Sequence, residues 1–558
     1  MQVNPITATP PPGEPPPQMG PVSIDVRRFP WVKRLAADYA YAFDGLAPFF
    51  SGNPADPSAW AAAISRTQAH PRHRPELARA IAAQQQRRGA PAQAVAAAER
   101  LADAKTVAVL TGQQAGLFGG PVYTLLKAIT ALKLAEQVSR DHGVPAVAVF
   151  WIEAEDHDWD EVRSCHVLDD ELAGRTVSLP PRPAGNPVPV ATIQLDDQIA
   201  AVLAELEQAL PATEFRAALL ADLRAAYKPG TGMSEAFGRW LERVLGERGL
   251  IVYDASDPQT KPLVSQVFER ELSAPGQTSM SAAKAGADLS ARGYHAQVQT
   301  QDGSPVLFRL GDARRPIRQQ SGQLVVDDTT YAPDALAREA AERPAGFSPG
   351  VLLRPVVQDA LFPTLCYVAG PSELAYLGQL RGVYEHFGVP MPLMYPRATA
   401  TLVDSAAARF LSKYKVPLEA LQPQDDSGLN ELLKSQIPPA VEETFAAARV
   451  TIDDQLQRVV GALQTLDPTL EGAARTTLGR MQHDLESLHG KTIQAAKRRH
   501  ETLRRQFLRT RALTFPDGHP QERTIGFIWF LNQYGSALVD RLWDALPIEM
   551  GQHWVITI

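Results

Sequence analysis

The run Trp151-Ile-Glu-Ala-Glu-Asp-His-Asp-Trp-Asp160 places five carboxylates and one histidine within the eight residues from Glu153 to Asp160. Like charges at that density repel unless a cation, an amine or basic side chains compensate them. The cluster suggests Mg2+–ATP or a substrate ammonium group, with Glu153, Glu155, Asp156, His157 and Asp158 as candidate catalytic residues. His157 carries the imidazole that titrates near neutral pH and could serve as general base for an attacking amine. The plainer use of such acids is to cap a following helix or to face water.

Two further constellations are of a chemical kind. Gly112-Gln-Gln-Ala-Gly116 with Gly119-Gly120 stands between an apolar run and a helical pattern, where backbone N–H groups and the helix dipole favour a phosphate or carboxylate. Gly112, Gln113, Gln114, Gly116, Gly119, Gly120, Tyr123 and Lys127 form the candidate nucleotide- or anion-binding set. The stretch is neither G-x-G-x-x-G nor a G-K-[ST] loop, and a tight turn is the plainer use of its glycines. Lys127 lies two turns into the helix, so a phosphate at the helix start would stretch its side chain. The candidate substrate-binding set is Arg354, Gln358, Asp359, Gly370, Glu373, Tyr376 and Arg397. It joins guanidinium groups that fork onto carboxylate or phosphate to groups able to orient a polyhydroxylated substrate. Arg354 and Asp359 could instead be a structural ion pair.

The elements that must position these residues are legible from periodicity. Thr106-Val-Ala-Val-Leu110 and Ala146–Ile152 are continuous apolar runs of parallel-strand type, and the segment from Pro121 between them has helical spacing. Strand, helix and strand make a Rossmann-type unit whose carboxyl ends carry the first two constellations. The pattern recurs at Thr364-LCYVAG, SELAYLGQLRGVYEHF and Gly388–Arg397. Between them, GYHAQVQT, VLFRL and QLVVDD read as short antiparallel strands of an inserted subdomain at about 260–345. The expected fold is therefore α/β: a Rossmann-type parallel-sheet core over 105–400, preceded by a helical layer at 23–104 and a disordered proline-rich arm at 1–22. Ile452, Leu456, Val459, Leu463 and Leu466, then Leu478, Met481, Leu485 and Leu488, are spaced as heptads on either side of Asp467-Pro468. They predict an antiparallel coiled-coil hairpin within 401–514, a segment 515–558 packing back on the core, and a homodimer.

The 558 residues exceed what one hydrophobic core usually serves, and a formal charge of −7 gives no electrostatic reason for nucleic-acid binding. No apolar run reaches membrane length, and the N-terminus lacks basic and apolar signal regions, so a cytoplasmic protein is expected. The two cysteines, Cys165 and Cys366, have neither disulfide-scaffold nor metal-ligand spacing, and no metal site is expected.

The blocks TGQQAGLFGGPVYTLLKAITALKLA, VFWIEAEDHDWDEV, YKPGTGMSEAF, SPGVLLRPVVQDALFPTLCYVAGPSELAYLGQL with MPLMYPR, and PDGHPQERTIGF resemble successive blocks of the BshC cysteine ligase family, in that family's order from about residue 105 onward. The resemblance implies a Rossmann core with connecting-peptide insertions and a C-terminal coiled coil. It also implies addition of L-cysteine to glucosaminyl-malate in the last step of bacillithiol biosynthesis, with ATP and Mg2+ activating the cysteine carboxylate for attack by the glucosamine amine. No HIGH- or KMSKS-type signature is present, which leaves AMP- and ADP-forming routes open. Mycothiol cysteine ligases hold cysteine through zinc; no matching ligand spacing occurs here, so zinc is not expected. Two other classes remain compatible with these residues: a non-catalytic nucleotide-binding scaffold of the thiol pathway, and a sugar-nucleotide transferase on a similar fold.

Overall fold

The computed structural model describes residues 20–182, 188–298, 303–436, 438–467 and 469–558. The chain forms two compact units, one running to Leu402 and resuming at Glu522–Ile558, the other Val403–Gln521. Most of the proline-rich arm and Pro468 lie outside the described residues, and Val22, the arm's expected last residue, opens a strand, Val22–Asp25, paired antiparallel with Gln552–Val555.

Five parallel strands centre the first unit: β1 (Val107–Gln114), β2 (Ala146–Glu153), β3 (Ile251–Asp254), β4 (Thr364–Ala369) and β5 (Leu393–Pro396). Their order is β3-β2-β1-β4-β5, the doubly wound arrangement in which the direction of winding reverses between β1 and β4. Every residue of β2 is buried, as is β1 through Gly112, which explains why both are apolar throughout rather than alternating. Helix α1 (Val122–His142) joins β1 to β2 and ends at Gly143, whose φ of +64° suits a residue without a Cβ. Pro121 caps this helix, one position ahead of its expected place inside it.

The β1–β2 register sets Gly112 beside Trp151 and Gln114 beside Glu153. A Cβ on Gly112 would lie 2.9 Å from the Trp151 carbonyl oxygen, so only glycine admits this close approach. Helix α2 (Arg354–Leu361) leads into β4, and two short helices, α3 (Pro371–Leu377) and α4 (Arg381–Phe387), replace the single helix that the apolar spacing suggests between β4 and β5.

In the inserted region, Leu307–Leu310 pairs with Arg314–Pro316 and Phe347–Pro349, and Gln323–Val326 pairs with Arg318–Gln320 and Thr329–Tyr331. Residues 293–298, expected as a strand, have no strand structure, and 299–302 lie outside the described residues. The C-terminal part of the unit is fastened by a buried pair in which Arg397 meets both Glu522 oxygens at 2.5 and 3.0 Å. His553, held between Thr399 and Thr401, is pushed down to about 4 by burial and stays neutral there.

The second unit carries the hairpin Pro439–Leu466 and Leu470–Arg499, laced by Gln482 to Asp453 at 2.6 Å and His489 to Glu442 at 3.0 Å. The unit extends to Gln521, seven residues past the expected end of the hairpin region. Ile452, Leu456, Leu463, Leu478 and Leu485 are half-buried, whereas Val459, Leu466, Met481 and Leu488 are exposed. Among the described residues no helix is long and apolar enough to cross a membrane.

Replacing Glu522 by Gln leaves the Arg397 guanidinium buried without a counter-charge. A loss of about 3–5 kcal/mol is expected, measured by urea unfolding, whereas a change within a few tenths of a kcal/mol would mean that water replaces the carboxylate.

Candidate active site

A cavity of about 390 Å³ opens at the carboxyl ends of β1, β2, β4 and β5, where the winding reverses. Two ion pairs form its walls. Lys127 reaches across from α1 to Glu373 at 2.6 Å and also donates to the Gly112 carbonyl at 2.8 Å and to Gln113 at 3.1 Å. Glu373 sits there because it caps α3, accepting from the Gly370 N–H at 2.6 Å, and it takes a further bond from the Tyr367 hydroxyl at 2.8 Å. Burial pushes the Lys127 ammonium below its ordinary value, with Glu373 opposing. In the second pair, Arg354 at the start of α2 meets Glu153 at the end of β2 at 2.9 Å, and Trp151 Nε1 donates to the same carboxylate at 3.1 Å. Burial disfavours the Arg354 charge, but Glu153 together with Tyr376 and Tyr367 opposes it and the guanidinium is held above the usual arginine range.

The mouth is acidic. Asp156 accepts from the His157 N–H at 2.7 Å and from Gln114 at 3.2 Å, and Arg314 of the inserted region stands 4.0 Å away. Burial opposes its ionisation, yet the His157 N–H and the two arginines, Arg314 and Arg354, hold it below the ordinary aspartate value. Glu161 beside it is shifted upward by burial, with a bond from Gln114 opposing. Arg523 lines the cavity from the C-terminal segment, is exposed, and makes no ion pair among the described residues. Tyr123, bonded to Gln113 at 3.1 Å, lies under the Arg397 guanidinium, and burial pushes its phenol up to about 12.

The lining thus brings together Gly112, Gln113, Gln114, Tyr123, Lys127, Glu153, Asp156, Arg354, Gln358, Asp359, Gly370, Glu373, Tyr376 and Arg397. Arg354 and Asp359 do not pair with each other: Arg354 takes Glu153, and Asp359 is bonded by Gln358 and Tyr384. Six expected residues lie elsewhere. Asp158 caps the short helix Trp159–Val162 through the Glu161 N–H, and His157 is exposed, outside the lining. Glu155 points away into a buried pair with Lys261 at 2.5 Å, supported by Ser348 at 3.1 Å.

Gly116, Gly119 and Gly120 do not cradle an anion, because the C-terminal segment covers the turn. The Val122 N–H donates to the Ile525 carbonyl at 3.0 Å and the Phe527 N–H to the Gly120 carbonyl at 3.2 Å. At Gly119, with φ +97°, a Cβ would lie 2.3 Å from the Phe527 ring, so this glycine serves packing. The first N–H of α1 is therefore taken by the Ile525 carbonyl and is not offered to a phosphate.

The cavity also contains residues outside the expected sets, among them Trp151, Glu161, Tyr367, Ser372, Tyr384 and Arg523. Glu161 lies one residue past the acidic run, Tyr367 within the β4 apolar run and Arg523 within the block PDGHPQERTIGF, so each had a neighbouring signal though none was singled out. Among the described residues no group of three or more His, Cys, Asp or Glu side chains is placed to hold a metal ion.

A parallel sheet in this order, with a mixed-charge cavity at its reversal, defines a Rossmann-type α/β protein. Residues 22–398 match "Bacillithiol biosynthesis BshC, N-terminal Rossmann-like domain", and residues 400–558 match "Bacillithiol biosynthesis BshC, C-terminal coiled-coil domain". A protein of Salinibacter ruber named "Putative cysteine ligase BshC" is 34% identical over 529 residues, 94% of this chain and 96% of that one. Proteins of the same name from Chlorobaculum tepidum, 34% identical over 80% of this chain and 81% of that one, and Koribacter versatilis, 31% identical over 94% and 98%, are also similar. The chain belongs to the BshC family.

The Glu155–Lys261 pair has a pH consequence. Burial raises the Glu155 carboxyl above its ordinary 4.5, with Lys261 opposing. A carboxyl whose folded pKa exceeds its unfolded one favours the folded state below the unfolded value, and loses that contribution as pH rises through the folded value. Lys261→Met is expected to cost about 3–5 kcal/mol at neutral pH, with a smaller deficit toward pH 5 as Glu155 takes up a proton. Urea unfolding at both pH values measures this, and an equal deficit at both would show that Glu155 is solvated in the variant.

Proposed function

We propose that the chain is a cysteine ligase that joins L-cysteine through an amide bond to the amine of glucosaminyl-malate in bacillithiol biosynthesis, consuming ATP with Mg2+. The observation that carries the reading is a cavity at the sheet reversal that offers both charge signs to a ligand, in a chain whose relatives are named cysteine ligases. Asp156 and Glu161 flank Gln114 at the mouth and suit a positive group, either a substrate ammonium or nucleotide-borne Mg2+. Arg523, which makes no ion pair among the described residues, suits a carboxylate or phosphate. Ser372, Tyr367 and Tyr376 bring hydroxyls that fit a sugar.

In this reading ATP supplies the activation of the cysteine carboxyl group. Because the turn between β1 and α1 is covered, Arg523 and the polar lining would hold its phosphates. The rigid pairs Arg354–Glu153 and Lys127–Glu373 keep the walls in place, so catalysis rests on orientation and exclusion of water.

Purified protein incubated with cysteine, glucosaminyl-malate, Mg2+ and ATP is expected to yield the amide, with product and nucleotide followed together by mass spectrometry. Stoichiometric AMP would assign an adenylating route and ADP an acyl-phosphate route. Folded protein that makes no amide would overturn the reading.

A further inference from the structure

An amine held as an ammonium ion cannot attack a carboxyl carbon until a base takes its proton. Five carboxylates line the cavity, Glu153, Asp156, Glu161, Asp359 and Glu373. Glu153 is neutralised by Arg354, and Glu373 by Lys127. Asp156 is held ionised by the His157 N–H and the neighbouring arginines, which makes it a weak base, and Glu161 stands exposed at the mouth.

Asp359 differs from all four. It is 1% exposed, and among the described residues no cation pairs with its carboxylate: the Arg72 guanidinium reaches only its backbone carbonyl, at 2.9 and 3.2 Å. One carboxylate oxygen accepts from Gln358 at 3.0 Å and the other from the Tyr384 hydroxyl at 2.5 Å. These bonds orient the group and leave lone pairs for a substrate.

We propose that Asp359 is the general base of the ligase, its carboxylate taking the proton from the acceptor's ammonium group inside the cavity. The inference rests on the function proposed above. Once the proton is on Asp359, the nitrogen lone pair forms the C–N bond to the activated carboxyl carbon. The bond from that carbon to the phosphate-bearing oxygen then breaks with its electron pair. The second amine proton leaves on the departing phosphate oxygen, and Asp359 returns the first to water.

The surroundings suit the task. Burial raises the Asp359 carboxyl to about 6, while bonds from Tyr384, Gln358 and Thr364 and the charge of Arg72 oppose the rise. The Cys366 thiol on β4 also feels the Asp359 charge, Tyr376 and Tyr367 act on its partner Tyr384, and Arg354 of the same helix shares the cavity lining. A base titrating near neutral pH is ionised at working pH and still holds a proton well enough to draw it from nitrogen. His157, the base suggested by residue type, is exposed and outside the lining.

The test compares the wild type, Asp359→Asn and Tyr384→Phe for amide formation across about pH 5 to 8. The wild-type rate is expected to rise with pH through a midpoint near 6. Asp359→Asn should lose about 10²–10⁴-fold and show no such limb. Tyr384→Phe, lacking a bond that favours the carboxylate, should move the limb to higher pH, which a merely structural role would not do. An infrared carboxyl band that titrates near 6 in the wild type and is missing from Asp359→Asn gives a readout independent of turnover. An active wild type with Asp359→Asn within a few-fold of it, or with an unmoved limb in Tyr384→Phe, overturns this inference alone. A wild type that makes no amide overturns the function and this inference together.

Discussion

A charge carried from water into the end of a packed sheet loses several kcal/mol of solvation unless an opposite charge and hydrogen bonds replace the water. That constraint governs the layout of this protein. Four pairs, Arg354–Glu153, Lys127–Glu373, Lys261–Glu155 and Arg397–Glu522, each join elements distant in sequence. Each also ends at or beside the carboxyl edge of the sheet. Once one partner is placed by its strand or helix cap, the other has little freedom, and the cavity walls follow from the pairing.

The same rule separates structural charges from those available to a ligand. A side chain satisfied by a buried partner would have to give up that partner to bind substrate, at a cost comparable with what the new contact returns. What remains among the described residues is a short set: the acidic mouth at Asp156 and Glu161, Arg523 without an ion pair, and the Asp359 carboxyl without a cation. These groups differ in sign and in surroundings: burial raises the proton affinity of Glu161 and Asp359, whereas the His157 N–H and two arginines hold Asp156 low against burial. A zwitterionic amino acid and an anionic amino sugar would meet complementary groups among them.

The glycine-rich turn after β1 shows how one composition serves either of two physical ends. Left open, it would present backbone N–H groups to an anion. Here Ile525–Phe527 lies across it, the carbonyl of Ile525 takes the first N–H of α1, and the Phe527 ring fills the space that a Cβ at Gly119 would need. The glycines permit a close chain crossing, and the C-terminal segment thereby delivers Glu522 to Arg397 and Arg523 to the cavity.

Sequence alone determined what is local. Continuous apolar runs marked β1 and β2 because strands covered on both faces need no polar side, and the helical spacing after Pro121 marked α1, whose start suits proline's fixed backbone angle. The heptads marked the hairpin, and the strand-end position of Glu153, Asp156 and Gln114 marked the region of the cavity, while the long blocks marked the family. Tertiary structure decided what depends on partners far along the chain. It turned Glu155 toward Lys261, left His157 in water, covered the glycine turn, and set Asp359 against Tyr384 without a cation. None of these has a local signature, because the charge state and availability of a side chain are properties of its dielectric surroundings, and those exist only once the chain has folded around it.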